Sequence, residues 1–185
     1  MHRLGRGLAA LAVVPLLLAG CGDDEPSAPG DGQEASAPSG DDGIDYPDEG
    51  VDLAHEPDLE GVYADALQVY VDFERGRQLA AREGGANELL TFSAVGAVAD
   101  RVVAAAERLG DEGATYDGTV VLEVRSAKPR DTVLRLEVCV DGSELDVPAG
   151  APALLGTADR VSQQVTVTNL SGPWRVTKVE PRGSC

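Results

Sequence analysis

The hydrophobic period of this chain changes once, near Thr119, and that change limits the folds open to it. Before it, apolar residues recur at three- and four-residue steps, the repeat of a helix with one buried face. Val62, Ala66, Val69 and Phe73 carry the stripe of a helix over about 61–82, with Tyr63, Leu67 and Tyr70 beside them. Asp65, Asp72, Arg75 and Arg77 fall on the other side, and Gly84-Gly85 ends the pattern. Leu89-Leu90-Thr91-Phe92 reads as a short apolar turn, with Ser93 as N-cap of a second helix. Val95, Val98, Ala99, Val102, Ala106 and Leu109 mark the face of that helix, and Gly110 stops it.

After Thr119 the period is two, the repeat of a strand with one buried and one wet face. Val120, Leu122 and Val124 alternate with Val121, Glu123 and Arg125. Lys128-Pro129-Arg130-Asp131 reads as a turn. The strand over 132–141 then places Leu134, Leu136, Val138 and Val140 on one face, and Arg135, Glu137 and Cys139 on the other. On the wet face, Glu123 and Arg125 are expected across from Arg135 and Glu137. A loop rich in Gly and Pro covers 142–156, and a third strand carries Val161, Val165 and Val167. A fourth runs over 174–180. Helices first and a meander of strands after them predict an α+β fold, with N-terminal helices packed on an antiparallel sheet of four or more strands.

The charge separates the chain into parts. Of its 32 acidic residues, fourteen lie in 22–60, where no Lys or Arg stands. That stretch is Gly, Pro, Ser, Asp and Glu with few apolar groups, so it reads as a disordered acidic linker, with His55 inside it. Before it, Arg3 and Arg6 precede an apolar run over 8–18. The run is shorter than the roughly 20 residues that span a bilayer, and 1–20 reads as an export signal. It closes with Leu18-Ala19-Gly20-Cys21, which resembles the lipobox of bacterial lipoproteins. The resemblance implies that Cys21 is acylated, palmitate being one such acyl chain, and becomes the N-terminus. Cys21 and the linker then occupy 21–60, and the folded domain 61–185. Thirteen Arg against two Lys, with abundant Ala and Gly, suggest a GC-rich genome.

Once Cys21 is acylated, Cys139 and Cys185 are the two cysteines left. In an oxidising compartment they are expected to form a disulfide. The order of helices and strands, Cys-Val-Asp at 139–141, Trp-Arg-Val at 174–176 and a terminal Gly-Ser-Cys also carry a resemblance. The chain is similar to small exported actinobacterial lipoproteins of the nuclear-transport-factor-2-like fold, shared with SnoaL-like cyclases and ketosteroid isomerases. That resemblance implies a curved sheet wrapped around a long helix as a cone with an apolar pocket. The family's usual catalytic residues have no matching positions here.

The chemistry open to the domain is narrow. Both histidines, His2 and His55, precede position 61, which removes His-based catalysis and imidazole metal ligands from 61–185. No catalytic residue, metal site or cofactor is expected. Asp141 ends a strand and reads as the cap of the Asp141-Gly142-Ser143 turn. Tyr63, Tyr70, Phe73 and Trp174 are the candidates for lining a pocket. No basic patch exists to meet phosphates, so nucleic acid is not an expected partner. The expected partners are the membrane, through the lipid on Cys21, and an envelope protein or small apolar molecule. The chain therefore reads as a lipid-anchored binding or accessory domain on the outer face of the cytoplasmic membrane. The alternative is an isomerase, cyclase or hydrolase with an acid in the pocket.

Overall fold

The first amphipathic segment forms a 22-residue helix, α1 (Val62–Glu83), in a computed structural model that describes residues 45–46, 49–169 and 172–185. Gly84 ends it in the left-handed region at φ 74°, and its N–H donates to Ala80 O at 2.9 Å. The signal segment 1–20, Cys21 and most of the linker lie outside the described residues.

Burial on α1 is wider than the expected stripe. Tyr70, Glu74 and Gln78 are fully buried, and Arg77 is 4% exposed, whereas Val62 is 57% exposed. Arg77 therefore does not belong to a polar outer face. The helix is covered on two sides: the sheet packs on one, and two further helices on another. These are α2 (Glu88–Ser93) and α3 (Gly96–Asp111).

The segment expected as an apolar turn is α2. Asn87 caps it: its Oδ1 accepts from Leu90 N at 2.9 Å, and its Nδ2 donates to Gly76 O on α1 at 2.7 Å. Ser93 is not the cap of α3. Its hydroxyl donates back to Leu89 O at 2.6 Å, inside α2. Val95, extended, precedes α3, and its N–H donates to Val176 O at 3.0 Å, which ties the helical layer to the sheet.

Among the described residues the sheet has six strands in sequence order: β1 (Asp45–Tyr46), β2 (Val51–His55), β3 (Asp117–Arg130), β4 (Val133–Asp146), β5 (Arg160–Thr168) and β6 (Arg175–Ser184). It is mixed rather than antiparallel throughout, because β2 runs parallel to β3. This corrects the linker boundary at 60. Val51 and Leu53 are fully buried and pair with Val120 and Leu122. Val-Asp-Leu is a strand pattern in miniature, hidden by the acids around it. His55 closes that strand.

The β3–β4 hairpin is longer and tighter than the expected turn. Arg130 pairs with Val133, so Asp131 and Thr132 form a two-residue connection, with Asp131 at φ 52°. Pro129 is tolerated within β3 because β2 accompanies that strand only as far as Glu123. A register irregularity between Val124 and Ser126 shifts the wet face. Glu137 therefore opposes Ser126, Arg135 opposes Lys128, and Glu123 opposes Cys139. The ion partners of Glu123 are Arg160 at 2.9 Å and Arg125 at 3.5 Å. Leu134, Leu136, Val138 and Val140 face the core as expected. Residues 142–146, expected in a loop, continue β4.

Cys139 has the opposite parity to that leucine row yet is fully buried. A disulfide to Cys185 covers it, with Cα atoms 5.9 Å apart. Trp174 and Tyr63 meet with ring centroids 6.0 Å apart, and the Tyr63 hydroxyl donates to Asp131 O at 3.1 Å. No helix among the described residues is long and apolar enough to cross a membrane.

Candidate functional site

Positions 70, 74, 77 and 78 fall on one face of α1, at i, i+4, i+7 and i+8. They place Tyr70, Glu74, Arg77 and Gln78 together, each at least 96% buried. Charges are rarely found at such depth unless paired. Arg77 Nη2 forms an ion pair with Glu74 Oε2, and Arg77 Nη1 donates to Leu154 O at 3.4 Å. Arg77 Nε and both amide atoms of Gln78 have no protein hydrogen-bond partner among the described residues.

Burial pushes the Glu74 carboxyl above its usual range, and the Arg77 charge offsets part of that. Burial likewise raises the Tyr70 phenol well above its ordinary value, and the charge of Glu74 raises it further. Tyr70 is therefore held protonated.

Beside this cluster lies a cavity of about 420 Å³. Its walls are short aliphatic side chains from the sheet: Val120, Val140, Val161 and Val179, with Pro181. The connection between β4 and β5 closes one side with Ala153, Leu154, Gly156 and Thr157, and places the exposed Asp159 on the wall. Arg77 and Gln163 are its buried polar residues, and Gln163 Oε1 has no protein partner among the described residues.

The connection is held from inside. Leu155 is fully buried, and the Tyr116 hydroxyl is shared between Pro152 O at 3.3 Å and Gly156 O at 3.1 Å. Burial raises the Tyr116 phenol above its ordinary value, which keeps it a donor at neutral pH. Gly142 permits the close passage of this connection, since a Cβ there would collide with Thr157 O.

None of Tyr63, Tyr70, Phe73 and Trp174 lines the cavity. Tyr70 and Phe73 are buried in the filled core, and Tyr63 and Trp174 pack on each other. The reason is size: space remains where the facing side chains are valines, and the aromatics fill the space they reach. Arg77 and Gln163 escaped the sequence reading. A signal for Arg77 existed, because Tyr70, Phe73 and Arg77 continue one i, i+3, i+7 row. Gln163 stands between Val161 and Val165 on the inward parity of β5, a polar break in an apolar row.

Asp141 accepts from Ser143 N at 3.0 Å, and this bond holds its carboxyl below the usual range. It also pairs with Arg160 at 3.3 Å. Among the described residues, no three His, Cys, Asp or Glu side chains come together as a metal site.

No family model matches this chain. No curated protein matches it. Among solved structures, the intermembrane space region of the chloroplast protein ARC6 is similar at TM-score 0.44 and 15% identity, over 69% of this chain and 100% of that chain. A likeness that distant bears on neither the site nor the activity.

Proposed function

We propose that this chain is an exported, lipid-anchored binding domain that takes a small apolar ligand between α1 and the sheet. The observation that carries the reading is the cavity of about 420 Å³ with its aliphatic walls. Small-molecule sites are usually apolar hollows of about 300–1,000 Å³ with a few placed polar groups. A long helix laid on a sheet meander also supports reading the domain as a nuclear-transport-factor-2-like cone. The lipobox-like Leu18-Ala19-Gly20-Cys21 supports an anchor on the outer face of the cytoplasmic membrane, and a disulfide suits an oxidising compartment.

A catalytic reading would use Glu74, an acid buried beside Tyr70. Glu74 is engaged by Arg77 and is not on the cavity wall. A protein-partner reading would need a coherent apolar patch. Among the described residues the exposed large apolar side chains are Val62 on α1, Phe92 on α2 and Leu154 in the connection between β4 and β5.

The test is binding of an apolar solvatochromic dye to the folded protein. Val140→Phe and Val161→Phe, which put a ring where the cavity is, should abolish the blue shift while the fold melts cooperatively. Undiminished binding by both variants would show that the dye sits elsewhere. Mass spectrometry of the N-terminus tests the anchor: an acyl mass on Cys21 supports it, and an unmodified N-terminus elsewhere removes it.

A further inference from the structure

Resting on the cavity reading above, we infer that the ligand is a cationic amphiphile: an alkyl body inside the cavity and an ammonium head held at its mouth by Asp159. Asp159 lines the cavity and is itself exposed, so it stands where the cavity opens to water. The pairing of β4 with β5 extends to it: Asp141 pairs with Arg160, and Gly142 N donates to Asp159 O at 3.2 Å. Asp159 therefore has the parity of Val161, which lines the cavity two residues on. Its carboxylate has no ion pair among the described residues.

The rest of the wall supplies no opposing charge. Arg77 is ion-paired with Glu74, its Nη1 donates to Leu154 O, and its Nε and Nη2 are buried. Gln163 is neutral, and its Oε1 is buried. Arg160, next in sequence, has the opposite parity and is engaged by Glu123 at 2.9 Å and Asp141 at 3.3 Å. The cavity thus presents aliphatic walls inside and one unbalanced negative charge at its mouth. An amphiphile suits that arrangement because its chain leaves water while its head stays hydrated, so no charge is buried. A carboxylate head would meet Asp159 as a like charge, and an uncharged head would gain nothing from it.

The experiment uses the full chain carrying Cys21→Ser, so that no attached lipid competes for the probes. Bound uncharged apolar dye is displaced with octylammonium, octanol and octanoate at neutral pH and low salt, where the amine is protonated and the acid ionised. Octylammonium should act at about three- to fivefold lower concentration than octanol, the range of an exposed ion pair, and octanoate should be the weakest. In about 1 M salt, which screens charges beyond about 3 Å, the three should converge. Asp159→Asn should keep octanol binding and lose the preference for the amine, and Asp159→Lys should turn the preference toward octanoate. Asp65→Asn, an exposed site on α1 that does not line the cavity, changes the net charge equally and should leave the preference intact. Equal displacement by octylammonium and octanol in the parent chain, a preference retained by Asp159→Asn, or as large a loss in Asp65→Asn overturns the inference and leaves the cavity reading standing. Failure of all three probes to displace the dye overturns the cavity reading and the inference with it.

Discussion

Arg77 and Glu74 form an ion pair across one turn of α1, with side chains 5% and 0% exposed. Two ions removed from water at that depth are held by each other. Arg77→Met alone should therefore cost about 3–5 kcal/mol, because it leaves a buried carboxylate without its cation. Glu74→Gln/Arg77→Met should recover most of that loss. Urea unfolding of the two variants checks this, and equal loss in both would contradict it.

The same carboxyl sets a pH dependence. The pKa of Glu74 is raised in the folded protein, first by burial. The folded state therefore holds that proton more tightly than the unfolded chain. This contribution is fully present below the ordinary carboxyl pKa and is lost as pH rises through the folded value. Relative to Glu74→Gln/Arg77→Met, the parent protein should lose stability as pH climbs from acid to neutral. Paired unfolding curves across that range test the sign. A relative gain with rising pH would refute it.

Strand β2 belongs to the core. A chain beginning at Gly61 loses Val51 and Leu53, both fully buried, at about 1.5–3 kcal/mol each. It also loses the parallel ladder along β3. Against a typical domain stability of about 5–15 kcal/mol, that loss is large. Thermal melts of the chain begun at Gly61 and at Gly40 compare the two. Equal midpoints would return 51–55 to the linker.

At Gly76 two effects oppose each other. Alanine there improves helix propensity by about 1 kcal/mol. Its Cβ would lie 2.5 Å from Leu90 N and 2.8 Å from Leu90 Cα, which are backbone atoms of α2 and cannot swing aside. Overpacking of this kind costs about 1–3 kcal/mol, so Gly76→Ala should destabilise on balance. Gly85→Ala, where a Cβ meets nothing within 4 Å, is the matched control. A stabilised Gly76→Ala would mean that α2 moves freely against α1.

The Cys139–Cys185 bridge spans a sequence separation of 46. In the chain-entropy model a loop of that length is worth ~4 kcal/mol. Reductant should lower the melting temperature of the parent protein and leave Cys139→Ala/Cys185→Ala unchanged. Two free thiols in the unreduced, unfolded domain would remove the bridge.

Local pattern was enough for the elements whose faces meet unlike surroundings. α3 shows water on one side and the domain on the other, so its apolar row was legible; β4 was legible for the same reason along 134–140. The pairing of Cys139 with Cys185 followed from counting, since a domain with two cysteines has one intramolecular bridge open to it. Legibility failed where an element is covered on more than one side. α1 is such an element, and its Glu74, Arg77 and Gln78 are buried although nothing in their chemistry requires it.

The sequence by itself determined the α+β class, the helix-then-strand order, the inward row of β4 and the cysteines available to bond, because each depends on period or composition within one segment. Only the tertiary structure decided that β2 inserts beside β3, that the register slips after Val124, and that Arg77 and Gln163 share a cavity walled by valines. Those outcomes depend on which distant side chains meet and on how much volume they leave between them. A periodicity along one chain segment carries no record of either.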